Sequence, residues 1–292
     1  MTTQSEIRAM VRGAYDIQKL RIQTGNRIVR NFKAKLGQEG PDNENVLDKE
    51  AKKILTDLRL AYNRITDGLV KFPRLVDFPF LKGEGIIDNY TELSLISQYD
   101  ALDKIETQHF SNLESLLEGI PIYTEFRRDI KGIKERMAGV IISEFRIEKA
   151  KYASSLWKYA GLDLGPDGKG RSRRKEHLIK VMYTTKNGKE EERDSITYNQ
   201  FLKSKLIGAL GPSFLRSNSP YREFYDNYKH RLQSRPDFVK GDKKPVGHIH
   251  NASIRYMIKR FLVDLYEVWR DLEGLPRFTP YADAKLGLSH SA

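Results

Sequence analysis

Five bases crowd into seven residues at Lys169-Gly-Arg171-Ser-Arg173-Arg174-Lys175, with Gly165, Gly168 and Gly170 beside them. Guanidinium forks and ammonium groups bind phosphate oxygens, and glycines let a backbone come close to them. The chemistry implied is contact with a polyanion, with an affinity that falls steeply as salt is raised. Ser172 is the one hydroxyl inside the stretch and the candidate nucleophile. That role needs a base or metal for its proton and a group that stabilises charge at the attacked centre. Its basic neighbours meet the second need, but no base can be assigned from sequence. The plain alternative is a solvated charged loop with a linker serine. His177, just beyond, reads as a partly buried or phosphate-touching histidine, with proton donation as its other use.

A second basic feature is Asp129-Ile-Lys-Gly132-Ile133-Lys134-Glu-Arg136-Met-Ala138. A helix, a glycine turn and another helix would aim backbone N–H groups and a helix N-terminus at phosphate. Lys134 stands where the strong helix–hairpin–helix form has a second glycine, so an ordinary helix turn stays open. Lys134 and Arg136 are the candidate contacts here. Tyr221, Tyr225 and Tyr228 make one tyrosine-rich helical face. Packing against the last helix is preferred for it over stacking on unpaired bases. Lys229 and Arg231 on that helix are expected to face water or phosphate. His248 and His250, with Asp242 upstream, could share a metal only from one face of a strand. A loop explains them, and no metal site is assigned. No Walker A loop, dinucleotide fingerprint, Ser-His-Asp order or metalloprotease motif appears.

The elements that must position these residues read as mainly α-helical. Helical spacing predicts helices over about 6–36, with Ile7, Met10, Val11, Ala14, Ile17, Leu20 and Ile28 inward and Ser5 as N-cap, and over about 45–68. A third, over about 91–118, carries a near-heptad seam of Ile96, Tyr99, Leu102, Ile105, Phe110, Leu113 and Leu116. The window 84–118 holds eight acids and one base, a net charge of −7 in a chain of +12, leaving +19 elsewhere. Such a helix is expected to face another helix, from this chain or a second copy. After Gly119-Ile120-Pro121 come short helices to about 162. A β-hairpin follows over 178–198, with Asn187-Gly188 at its turn and both residues expected at positive φ. Further helices are read at about 198–209, 219–232 and 251–273. The expected organisation is a helical and coiled-coil region (1–118), a basic domain (119–275) and a tail (276–292).

Composition limits the function classes. A surplus of twelve positive charges points to an anionic partner. With no cysteine, disulfides, Cys-ligated zinc, iron–sulfur sites and thiol nucleophiles are excluded. No apolar run suits a membrane span. The opening MTTQSEIRAMVRGAYD shows no leader-like run, so a cytoplasmic protein without a membrane partner is expected.

From Phe126 to about Arg270 the chain resembles the C-terminal domain of the DEDD-type insertion-sequence transposases (the insertion-sequence one-ten family, with Piv-like invertases). The carriers, in order, are the Ile130-Lys-Gly-Ile133 hairpin, Ser155-Leu-Trp-Lys-Tyr-Ala-Gly-Leu162, the Gly-rich basic stretch, Ser219-Pro-Tyr-Arg-Glu-Phe-Tyr225 and Asn251-Ala-Ser-Ile-Arg255. The resemblance implies DNA binding and recombination, a coiled-coil helix ahead of the domain and, in some members, a structured RNA partner. It also implies a nucleophilic serine here, and four metal-binding carboxylates on a RuvC-like domain. Residues 1–118 read as helical rather than strand-borne, so Asp16 is rejected as a first metal ligand. Asp167-Gly168 stands where Ser-Gly is expected. The expectation is therefore a DNA-binding transposase-like or recombinase-like protein with contacts at Lys134, Arg136, Lys169, Arg171, Arg173, Arg174 and Lys175. Ser172 is the catalytic candidate, and a divalent metal enters only if a RuvC-like partner supplies it. Two alternatives stand: a non-catalytic DNA- or RNA-binding accessory protein, and an interaction protein built on the acidic helix, which could also join copies of the chain.

Overall fold

The computed structural model describes residues 4–41, 43–81, 85–235 and 246–278. It is mainly helical, with a single two-stranded antiparallel hairpin among the described residues. The chain divides into two compact units, Ala9–Leu113 and Met1–Arg8 with Glu114–Ala292.

The first unit is built from α2 (Lys49–Thr66) and the greater parts of α1 (Gln4–Lys35) and α3 (Tyr90–Leu117). Helix α1 begins one residue before Ser5, so Ser5 is not its cap. It ends where the Gln38 amide reaches back to the Lys33 carbonyl at 2.9 Å, a bond that closes the last turn. Asp48 caps α2 by accepting from the Ala51 amide at 2.7 Å. The core gathers Ile28 and Val29 of α1, Leu55, Leu58, Ala61 and Ile65 of α2, and Leu93, Ile96 and Tyr99 of α3. Leu20, expected inward, is exposed.

The acidic helix corrects its expected seam. Its inward line runs through Glu106, while Ile105 is exposed. Two side chains of α1 make that burial possible. The Arg21 Nε lies 2.6 Å from Glu106 Oε2, and Gln18 donates to Oε1 at 2.9 Å. Burial alone would lower the Arg21 pKa, but these bonds and the carboxylate's charge raise it. Arg59 of α2 joins Asp100 at 2.6 Å and Asp103 at 3.0 Å, and Lys35 joins Asp88 and Glu92, each at 2.9 Å. Glu92, Asp100, Asp103 and Glu106 of α3 are thus engaged by bases of α1 and α2.

The second unit holds α4 (Pro121–Asp129), α5 (Glu135–Glu144), α6 (Ala153–Tyr159), β1 (Ile179–Thr184), β2 (Glu190–Ser195), α7 (Gln200–Lys205), α8 (Gly211–Arg216), α9 (Arg222–Gln233) and α10 (Val246–Leu272). Helix α10 is the spine. Ile254, Met257, Ile258, Phe261, Leu262, Leu265 and Trp269 are buried along it, as their helical spacing requires, while Val268 stays exposed. Arg270 is buried and donates to the carbonyls of Ile147 (3.1 Å), Ala150 (3.0 Å) and Pro276 (2.7 Å). It ties the turn before α6 to the end of α10. A π-helical segment, Leu206–Leu210, joins α7 to α8, with the Gly211 amide bonded to the Leu206 carbonyl. Pro212 follows at once, and a residue without an N–H cannot complete the ordinary ladder there.

The tyrosine face packs on α10 as preferred. Tyr221 donates to Asp264 at 2.7 Å, Tyr225 and His250 Nδ1 are 2.6 Å apart, and Tyr228 stacks on Tyr256 at 4.4 Å. Burial, then the Asp264 carboxylate, pushes the Tyr221 phenol up. Lys229 and Arg231 lie over the rings of Tyr225 and Tyr228. The hairpin pairs Ile179 with Ser195 through Thr184 with Glu190. Its turn departs from the expected one. Gly188 has φ +75° but Asn187 does not have positive φ. The Gly188 amide bonds to the Thr185 carbonyl at 2.9 Å, and the Thr185 amide to the Lys189 carbonyl at 2.8 Å. This is an ordinary turn ending on one left-handed glycine, so only one of the two central residues needs positive φ.

Candidate nucleic-acid interface and the Ser172 loop

The basic stretch is held in a closed loop between α6 and β1. Leu164 pairs with Gly170 across its neck, and the Gly165 amide bonds to the Lys169 carbonyl at 2.7 Å. Gly165-Pro-Asp-Gly168 makes the tip, where the Gly168 amide reaches the Gly165 carbonyl at 3.0 Å. Proline second in a turn presets its φ, which is why the tip closes here.

The five bases divide by what they touch. Arg171 is largely buried and clamps Asp163, with Nε at 2.9 Å from Oδ1 and Nη2 at 2.8 Å from Oδ2. Its remaining donors go to Thr197 Oγ1 at 3.2 Å and the Leu164 carbonyl at 3.3 Å. The Asp163 hydrogen bond, outweighing burial, holds the Arg171 pKa up. Arg171 is therefore the anchor of the loop. Arg174 reaches back, donating from Nε to Ser172 Oγ at 3.1 Å, with Nη1 3.4 Å from Asp167. Lys169, Arg173 and Lys175 are exposed. No ion pair engages any of these three among the described residues.

Ser172 has the partner that the sequence did not disclose. Its Oγ lies 3.2 Å from His177 Nδ1, and His177 Nε2 lies 2.9 Å from Asp167 Oδ1. The His177 side chain has no solvent exposure. That bond, with a further one from the Lys169 amide, lowers the Asp167 pKa. The serine, imidazole and carboxylate are thus joined in one chain of hydrogen bonds. The tautomer follows from a fourth contact. The Ser172 amide also donates to Nδ1 at 2.9 Å, so Nδ1 carries the lone pair and Nε2 the proton given to Asp167. For His177 to take the hydroxyl's proton, the amide must first leave Nδ1. That exchange costs about 1 kcal/mol, the net worth of one such bond.

The loop tolerates this packing only because Gly165 has no side chain: a Cβ there would lie 2.4 Å from His177 Nε2. Gly165→Ala is expected to push the ring off Asp167 and cost about 2 kcal/mol, as overpacked sites do. Thermal melts of parent and variant check it.

Lys134 and Arg136 stand elsewhere, at the start of α5, both exposed. Lys134 occupies the N-cap position without a capping side-chain bond. Gly132 in the turn before it has φ +99°, and a Cβ there would lie 2.6 Å from Ser217 Oγ. Its carbonyl accepts from Ser213 Oγ at 2.8 Å, so the hairpin is pinned to α8. His248 and His250 lie within α10, not on a strand or loop, and two residues of separation on a helix point side chains apart. Asp242 lies outside the described residues. Among the described residues, no group of three His, Asp or Glu could hold a metal, and no helix is long and apolar enough to cross a membrane. Comparison with protein-family models, curated proteins and solved structures gives no match.

Proposed function

We propose that this chain binds DNA along the basic loop and acts as a transposase-like or recombinase-like protein. One observation supports the reading most. Lys169, Arg173 and Lys175 are exposed and unpaired on a loop whose fourth and fifth bases, Arg171 and Arg174, are occupied in holding its shape. Free cations on a pre-shaped backbone suit phosphates, because little freedom is lost when a strand binds. The choice of DNA and of recombination comes from the family resemblance. Within this reading Ser172 Oγ attacks a DNA phosphorus and the phosphodiester's P–O bond to the leaving strand breaks. His177 accepts the serine proton and returns it to the departing oxygen, and the Arg174 guanidinium faces the developing charge. A partner of RuvC-like kind would supply metal-binding carboxylates.

A second reading has its own observation. The Ser172 amide already occupies His177 Nδ1, as it would in a lock that only shapes the loop of a non-catalytic DNA- or RNA-binding accessory protein. The interaction-protein reading has less support, since the acids it relies on pair inside the chain.

The test is a titration with labelled duplex DNA, single-stranded DNA and structured RNA of equal length. Duplex DNA is expected to bind tightest. Preference for structured RNA would overturn duplex DNA as the ligand of the loop, and no binding to any of the three would end both readings. A DNA–protein adduct trapped by the parent and absent in Ser172→Ala, with binding unchanged, would separate the recombinase from the lock.

A further inference from the structure

Behind the loop, three further cations converge from two helices. Lys203 comes from α7, and Arg255 and Lys259 sit one turn apart on α10. None is fully exposed, and no ion pair engages any of them among the described residues. The Arg255 guanidinium lies against the backbone of Gly170, so closely that a Cβ there would meet its Nη1 at 2.2 Å. Its Nε is sealed from solvent and has no hydrogen-bond partner. Lys203 donates to the Arg171 carbonyl and lies over the Tyr198 ring at 4.6 Å. Lys259 lies over the Trp157 ring at 5.0 Å. The carboxylate that acts on all three is Asp163, and both of its oxygens are already taken by Arg171.

Three half-buried cations that share one carboxylate already clamped by a fourth base are under-neutralised, and native proteins usually pair such charges. A solvent-sealed donor with no acceptor adds to that cost. We propose that Lys203, Arg255 and Lys259, beside the backbone of Gly170, form a binding site for one phosphate group. A forked guanidinium and two ammonium groups suit its several oxygens. The site stands on its own residues. Only the step that identifies its occupant as a phosphodiester of bound DNA rests on the function proposed above.

Burial, and then the neighbouring Arg255 charge, pushes the Lys203 pKa down to about 8, and burial lowers those of Arg255 and Lys259. The groups facing Lys203 are Asp163 and Arg171 of the loop, Arg255 of α10 and the Tyr198 ring. An anion favours the charged ammonium. Affinity should therefore fall as pH rises through about 8, where the empty site sheds the Lys203 proton.

The experiment is calorimetric titration of the full chain with inorganic phosphate at fixed ionic strength, chloride being the balancing salt. Saturable one-site binding is expected. Lys203→Met and Lys259→Met should each weaken it about tenfold, the loss of one charge-assisted bond. Sulfate keeps its charge between pH 7 and 9, about the range that matters for a lysine shifted this far, and serves for the pH arm. Its affinity should fall over that range in the parent, and the fall should be smaller in Lys203→Met. Circular dichroism and melting of each variant separate lost folding from lost binding, and Arg255→Lys is a milder second probe at the guanidinium.

Phosphate that behaves no differently from chloride, or binds folded Lys203→Met and Lys259→Met as tightly as the parent, would overturn the site. Its source is read from competition. Phosphate that weakens duplex DNA binding in the parent, beyond matched chloride, and not in Lys259→Met, assigns the site to a DNA phosphodiester. Phosphate binding without any DNA binding upholds the site and sinks the DNA reading. DNA binding without phosphate binding at parent or variant does the reverse.

Discussion

Asp163→Ala is expected to destabilise the second unit by about 3 kcal/mol, because it removes the acceptor of a largely buried bidentate pair and leaves the guanidinium uncompensated. Arg171 gives Asp163 both parallel bonds, and Lys203, Arg255 and Lys259 all feel the same carboxylate. Without it four cations face one another across the neck of the loop. The cost is set below that of a fully enclosed pair because Asp163 keeps 24% of its side-chain exposure and Arg171 16%. In a unit of this size such a loss lowers the melting temperature by about 5–10 °C. A melt in low salt checks it. Added phosphate or sulfate should restore part of the loss in the variant, because an oxyanion can stand in for the missing charge. A melting temperature unchanged from the parent would mean that Arg171 does not anchor the loop.

The second large effect concerns binding. Changing Lys169, Arg173 and Lys175 together to alanine is expected to weaken duplex DNA binding by about a hundredfold at low salt, since each cation that meets a phosphate releases a counterion. The fold should be untouched, because these three side chains hold nothing together in the structure. Their choice matters. A variant that included Arg171 would lose the clamp on Asp163, and one that included Arg174 would disturb Ser172 and Asp167. Lost binding in either could not be told from a collapsed loop. Fluorescence anisotropy with parent and variant at one salt concentration measures the effect, and equal affinities would remove the loop from the interface.

How much could be read from the chain follows the range of the forces involved. The long helices and the hairpin were legible because periodicity and turn residues act locally. One error within them came from partners far along the chain. Ile105 yields its inward place to Glu106 only because Gln18 and Arg21 arrive from another helix. Asn187 keeps negative φ because the five-residue connection closes by a different turn than its Asn-Gly pair suggests. In the candidate site, the basic stretch was plain in the sequence and the separate tasks of its bases were not. Five adjacent cations look alike until Asp163 selects one as an anchor. His177 meets Ser172 and Asp167 only once the loop has closed across Leu164 and Gly170. The phosphate site left a fainter trace. Arg255 and Lys259 are two cations one turn apart on a helix whose other face is buried as the spine of the unit, a placement that solubility alone does not require.

The measurement that bears most directly on the account is the salt dependence of duplex DNA binding by the parent chain, followed across a decade of ionic strength. If the exposed bases of the loop meet phosphates, the logarithm of affinity falls linearly with the logarithm of salt, with a slope of about −3 or steeper for three or more contacts. Weak binding with a slope near zero would contradict it, and the surplus positive charge would then belong to an acidic protein partner.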